Sequence, residues 1–123
     1  MDNISKNTLV IGGSPKAERY SNKAIKKLLK YNHKVFSIGL KESAVNGVNI
    51  ETGHPEYKNI HTVTMYVGEL RQNSYIDYVV DLKPQRVIFN PGSENMSFAD
   101  KLKNNNIEVI ENCTLVMLDY GLF

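Results

Sequence analysis

The densest group of chemistry-bearing residues is Gly12-Gly13-Ser14-Pro15-Lys16, followed closely by Arg19, Tyr20, Ser21 and Asn22. Paired glycines let a backbone turn tightly and come close to a ligand, because no Cβ stands in the way. The free N–H groups and positive dipole end of a following helix would suit an anion such as a pyrophosphate. Lys16 and Arg19 add mobile positive charge, while Ser21 and Asn22 add short donors. An ordinary strand-to-helix corner has a similar composition, so both readings stand. Two sharper phosphate patterns are missing. No Gly-Lys-Ser/Thr follows Gly12, as a Walker loop needs, and Ser14 and Ala17 occupy the places of the later glycines in a dinucleotide fingerprint.

Three further runs fall where a site could form. Ser37-Ile38-Gly39-Leu40-Lys41 lacks the acidic residue that an NAD site uses to hold ribose hydroxyls. An apolar residue followed by lysine better suits an adenine slot flanked by an extra phosphate. Val67-Gly68 forms a second short break, and Asn90-Pro91-Gly92-Ser93-Glu94-Asn95 a third, polar and stiffened by proline. The last run reads equally as a ligand-facing loop or as the turn before a helix capped by Asn95 or Ser97. Cys113 is the lone thiol. The apolar Leu115–Leu118 beside it favours a buried structural cysteine, and neither His33, His54 nor His61 is placed by sequence as its base. No histidine has the i, i+4 partner of a helical metal pair, so no metal ligand is assigned.

These runs need elements to position them. Thr8–Ile11 reads as a buried strand entering the glycine turn, and Asn22–Tyr31 as an amphipathic helix with Ser21 as its N-cap. Lys34–Ile38, His61–Val67, Arg86–Phe89 and Ile107–Ile110 read as further strands, Glu69–Leu82 and Ser97–Lys103 as helices. Lys41–Asn59, broken by Gly47, Gly53 and Pro55, is the least regular stretch, and Asn112–Leu118 closes the chain. Strands alternating with helices imply βαβ units. The expected fold is therefore α/β: three layers, Rossmann-like, around a mostly parallel five-stranded sheet. In such sheets ligands bind beyond the C-terminal strand ends, where strand order reverses. That rule brings the four loops together.

Composition narrows the class. A chain of 123 residues, 41% hydrophobic and 23% charged, is expected to fold as one domain spanning 1–123, with its core at about 6–118. One cysteine excludes an intramolecular disulfide framework and a multi-cysteine zinc site. The net charge of +2 gives no footprint of a nucleic-acid binder. Much of the positive charge nonetheless lies between Lys16 and Lys41, so the small net value conceals a locally basic site. Leu9-Val10-Ile11 is too short for a signal-peptide core or a membrane span, which makes cytoplasmic residence the expectation.

The run Thr8–Lys16, then Arg19–Ala24, then Val35–Gly39 resembles the CoA-binding domain family. That family is Rossmann-like, and includes the nucleotide-binding domain of the succinyl-CoA synthetase α subunit and small stand-alone proteins. The resemblance extends from about Lys6 to Leu118, and Asn90–Asn95 and Glu111–Leu118 are similar to segments of the stand-alone members. It implies that Gly12, Gly13 and Ser14 hold the CoA pyrophosphate, with Arg19, Tyr20 and Ser21 at the family's basic and Ser/Tyr positions. It implies too that Ile38, Gly39 and Leu40 flank the adenine, with Lys41 near a ribose phosphate. Val67-Gly68 and Asn90–Asn95 would line the pantetheine path. Ser37–Leu40 departs from the Pro-Val-Asn-Pro type of many relatives, and the synthetase's phosphohistidine domain has no counterpart here.

The expected function is therefore non-catalytic binding of CoA or acyl-CoA. A site assembled from Gly12, Gly13, Ser14, Pro15, Lys16, Arg19, Tyr20, Ser21, Ile38, Gly39, Leu40, Lys41, Val67, Asn90, Pro91, Gly92 and Asn95 would hold it. The alternatives are an NAD(H)-type nucleotide sensor and a small acyl-thioester enzyme using Cys113. A small-molecule nucleotide is the expected partner, with neither nucleic acid nor membrane; homodimerisation and a protein partner stay open.

Overall fold

The computed structural model describes residues 4–123. Its elements in chain order are β1 (Thr8–Gly13), α1 (Tyr20–Lys30), β2 (Val35–Gly39), β3 (Ser43–Val45), β4 (Val48–Glu51), β5 (Thr62–Met65), α2 (Ile76–Leu82), β6 (Arg86–Phe89), α3 (Met96–Asn104), β7 (Glu108–Glu111) and α4 (Thr114–Asp119). Two 3-10 turns, Glu69–Arg71 and Asn73–Tyr75, precede α2.

The strands form one sheet in the order β3-β4-β2-β1-β5-β6-β7. All neighbours are parallel except β3 and β4. The parallel α/β sheet is present, but with seven strands where five were expected. The additional pair lies inside the stretch that looked irregular. Asn46 and Gly47, at φ 49° and 84°, make the two-residue turn of a hairpin in which Val45 faces Val48. Both central positions of such a turn need positive φ, which Asn-Gly supplies at low cost. Val45, Val48 and Ile50 point inward while Ala44, Asn49 and Glu51 face solvent, the period of a half-buried strand.

Alternation along the strands builds two cores. Leu9, Ile11, Val63, Met65, Val87 and Phe89 meet Val79 of α2 and Phe98, Ala99 and Leu102 of α3 on one face. On the other, Val10, Val48 and Ile50 meet Ile25 and Leu28 of α1 and Leu118 of α4. Helices therefore cover both faces, which is why the inner strands read as unbroken apolar runs.

Two local expectations are corrected, and the closing stretch, to which no element was assigned, gains one. The N-cap of α1 is Arg19, and Ser21 lies buried inside the first turn. The segment from Glu69 begins as 3-10 turns and becomes α-helical only at Ile76, because Gln72 is drawn into a buried hydrogen-bond set described below. The closing stretch contains a helix, α4, that packs against α1. Among the described residues no helix is long and apolar enough to cross a membrane.

Candidate functional site

Strand order reverses at β1: the chain moves out to β2 and then returns to place β5 on the other side. A cleft of about 1240 Å³ opens there, beyond the C-terminal strand ends. One bank is the β1–α1 turn with the end of β2; the other is the segment after β5 with the loop after β6.

The first bank is built on close backbone approach. Gly12 has φ +99°, and a Cβ there would stand 2.8 Å from the Tyr66 carbonyl oxygen. The β1–β2 register slips at this point, pairing Gly13 with Gly39. A Cβ on Gly39 would lie 2.4 Å from the Gly13 carbonyl oxygen. The strand ends are thus closer than any side chain permits. The turn beyond them is braced from within: Asn22 Nδ2 donates to the Ser14 carbonyl at 2.9 Å, and Lys16 N–H donates to Ser14 Oγ at 3.1 Å. Arg19 offers α1 no side-chain cap. The first-turn amides of Tyr20, Ser21 and Asn22 have no intrahelical acceptor by helix geometry, and the N-cap side chain takes up none of them. Lys16, Arg19 and, at the end of β2, Lys41 supply exposed positive charge on this bank.

The second bank is held by side chains buried behind it. Gln72, fully buried, donates from Nε2 to the Val67 carbonyl at 2.8 Å and the Ser93 carbonyl at 2.7 Å, while its Oε1 accepts from Asn95 Nδ2 at 3.0 Å. One amide therefore ties the loop after β5 to the loop after β6. Replacing Gln72 with leucine is expected to cost about 2–3 kcal/mol, because it strips the Val67 and Ser93 carbonyls of their donor and the buried Asn95 Nδ2 of its acceptor. Hydrogen exchange over Val67–Ser74 should then accelerate while the β1 amides stay protected; unchanged exchange in that segment would show that the tie is dispensable.

Asn90 is buried beneath the same bank. Its Nδ2 donates to Thr64 Oγ1 at 2.7 Å and the Met65 carbonyl at 2.8 Å, and its Oδ1 accepts from Thr114 N–H at 2.8 Å. Thr64 and Thr114 hydroxyls bond each other at 2.8 Å. Beside these two threonines the Tyr66 hydroxyl is buried, with no partner at full hydrogen-bond geometry among the described residues. Burial, with Cys113 as the second cause, pushes its phenol well above the usual range, so it stays a neutral O–H.

The structure places most of the sequence-derived residues along this cleft: Gly12, Gly13, Ser14, Pro15, Lys16, Arg19, Tyr20, Ser21, Gly39, Leu40, Lys41, Val67, Asn90, Pro91 and Gly92 all line it. Ile38 and Asn95 do not. Ile38 is fully buried in the core, and Asn95 caps α3 by accepting from Phe98 N–H at 3.1 Å. Sequence reasoning missed Tyr66, Glu69, Leu70, Arg71, Ser74 and Tyr75, which line the second bank. Their signal was position alone, immediately after the third apolar run. Tyr20, Leu40 and Leu70, 68%, 81% and 94% exposed, leave apolar surface at the mouth on both banks.

The remaining candidates lie elsewhere or are otherwise engaged. His33 and His61 stand at the opposite, N-terminal ends of β2 and β5. His33 Nδ1 accepts from Lys6 N–H at 3.0 Å, and burial together with the cations Lys6 and Arg86 lowers the pKa of both rings. His54 stacks on Tyr78 and meets the edge of Tyr75, a contact at the rim of the second bank. Cys113 is half-buried at the N-cap of α4, its N–H donating to Asn112 Oδ1 at 2.7 Å. No cluster of three or more metal-ligating side chains occurs among the described residues.

Comparison with solved structures agrees with this architecture. An uncharacterized protein is 39% identical, with 98% of this chain and 99% of that one covered at a TM-score of 0.95. A hypothetical protein from Pyrococcus horikoshii OT3 shares 21% identity over 96% of this chain and 84% of its own, at a TM-score of 0.85. A Thermus thermophilus protein shares 17% over 97% and 91%, also at 0.85, and these two likenesses speak to fold alone. Among curated proteins no relative matches. The sequence pattern of the CoA binding domain matches residues 6–119, with the glycine turn and both banks of the cleft inside the match. The chain belongs to the CoA binding domain family.

Proposed function

We propose that this protein binds CoA or an acyl-CoA without catalysing a reaction on it. The observation that carries this is the uncapped N-terminus of α1, opening with Lys16, Arg19 and Lys41 into the cleft behind Gly12 and Gly13. Unpaired N–H groups, a helix dipole and three cations on one bank fit an anionic nucleotide half. Gly12, Gly13 and Ser14 would hold the pyrophosphate with Arg19 and Ser21. Gly39 and Leu40 would flank the adenine, and Lys41 would meet the ribose phosphate. The neutral pantetheine arm would run past Val67 and the Pro91-Gly92 loop. Bound CoA supplies a thiol that carries acyl groups. The end of β2 offers a leucine and a lysine where a dinucleotide site places a carboxylate, which favours CoA over NAD. No hydrogen bond joins Cys113 to a histidine among the described residues, so no nucleophile-and-base pair supports an enzymatic alternative.

Thermal unfolding in the presence of CoA, acetyl-CoA, NAD, NADH and ATP tests this directly. A ligand at 100 times its Kd stabilises by about 2.7 kcal/mol, which should raise the midpoint by roughly 10 °C at this chain length. Shifts with CoA species and none with NAD or NADH are expected; a shift with NADH alone would instead mark a redox sensor. Arg19→Ala should weaken CoA about tenfold without altering the unfolding of the free protein, since the side chain is exposed. Unaltered CoA affinity would remove Arg19 from the phosphate site.

A further inference from the structure

The charges of the cleft are not matched to CoA alone. Its phosphates all belong to the nucleotide half, and Lys16, Arg19 and Lys41 stand on the bank assigned to that half. A fourth cation, Arg71, lines the other bank, where the uncharged pantetheine arm and its acyl group would extend. β1 separates the end of β2 from the end of β5, so Lys41 and the segment that carries Arg71 leave the sheet about 10 Å apart, although the banks meet below them where Gly12 approaches Tyr66. Arg71 forms no ion pair and no side-chain hydrogen bond among the described residues, and the neutral arm has no use for a guanidinium. Its position is set: the Arg71 N–H donates to the Gly68 carbonyl at 3.0 Å, and the adjoining Gln72 locks the segment to both loops. Ser74, in the second of the two 3-10 turns, also lines the cleft. Glu69, two positions before Arg71 in the first turn, projects about 120° away from it by 3-10 geometry.

Resting on the CoA reading, the geometry points to Arg71 as the residue that selects the acyl group: the bound thioester carries a carboxylate at its free end, held by the guanidinium with Ser74 as second donor. Planar guanidinium pairs with carboxylate in a two-point hydrogen bond, which a hydrocarbon end cannot replace. The specificity therefore comes from the second bank and the affinity for CoA itself from the first.

Titration of the intact protein with CoA, valeryl-CoA and glutaryl-CoA, by calorimetry, separates the two. The acyl groups of the last two have equal carbon counts and differ in the terminal carboxylate. Wild type should bind glutaryl-CoA about tenfold tighter than valeryl-CoA, and Arg71→Gln should bring the two together while leaving CoA within about twofold. Equal affinity for both thioesters in wild type would overturn the assignment while leaving CoA binding intact. A uniform loss for all three ligands in Arg71→Gln would overturn it as well, by moving Arg71 to the phosphates. Failure of every CoA species to bind wild type would defeat the CoA reading, and the acyl selection with it. Because Arg71 is exposed, an unchanged unfolding midpoint of the free variant serves as the folding control.

Discussion

Replacing Gly39 with alanine is expected to lower the unfolding midpoint by roughly 8 °C and to weaken CoA at least about tenfold, although the change adds a single carbon. The added Cβ would lie 2.4 Å from the Gly13 carbonyl oxygen and 2.8 Å from Ile50 Cγ2. The first neighbour is backbone and cannot rotate away. Relief requires the ends of β1 and β2 to separate, and they separate at the turn that presents the α1 amides to the cleft. Overpacking of this kind costs about 1–3 kcal/mol, and displacement of the turn should be read separately as lost affinity. Gly47→Ala is the control. It has open space around its Cβ position and lies in the hairpin turn, so it should strain the backbone through its φ of 84° without touching CoA affinity. If Gly39→Ala bound CoA as wild type does, the close approach of the two strands would have no part in the site.

Asn90→Leu should be the most destabilising single change, costing about 3–5 kcal/mol against a total that for domains of this kind is about 5–15 kcal/mol. Leucine has similar volume but leaves the Met65 carbonyl and the Thr114 N–H without partners in a buried setting. Neither can reach water without opening the junction of β5, β6 and α4. Asn90→Asp tests the same amide through charge. Oδ1 would still accept from Thr114, but a carboxylate would face the Met65 carbonyl where the amide donated. Burial and that carbonyl would raise the folded pKa of the new acid above its unfolded value near 3.9. The penalty is then largest above the folded pKa and is relieved as pH falls below it, because the protonated acid can donate again. The stability gap between Asn90→Asp and wild type should therefore narrow on acidification. A gap that widens or stays constant would show that Asn90 does not donate to Met65.

Asn90 also shows where sequence reasoning reached its limit. Its place in the loop after β6 followed from the apolar run Arg86–Phe89 ending at a proline, and the structure sets it at the cleft. Whether its amide faces a ligand or the fold depended on Thr64 and Thr114, 26 and 24 residues away. Nothing local to Asn90 encodes those partners. Gln72 is similar: read as one position in a helix from Glu69, it is a buried tie between two loops, and its partners Val67 and Ser93 meet only when β5 and β6 pair. Arg71 was overlooked for the same reason, since its value comes from the bank on which it stands.

The β3–β4 hairpin is a different kind of miss. Asn46-Gly47 between two valines carries a strong local turn signal, and the alternation of Val48, Asn49, Ile50 and Glu51 was there to be read. Each strand was short, and the breakers Gly53 and Pro55 that follow made the whole stretch look like loop. Helix boundaries shifted by a few residues because a terminus is decided by competition among neighbouring caps. At α1 the competition ended with Arg19 and an uncapped first turn.

What the sequence determined by itself is what local chemistry and periodicity encode: the alternation of strands and helices, the α/β class, the glycine turn after β1, and the family pattern over residues 6–119. Those properties depend on residues close together along the chain, where steric freedom at glycine and apolar spacing leave few alternatives. Tertiary structure alone decided which residues face one another across the cleft, which amides are consumed in holding its walls, and which cation is left over. Those are outcomes of strand order, and strand order is set by the burial of two separate apolar faces, summed over the whole sheet.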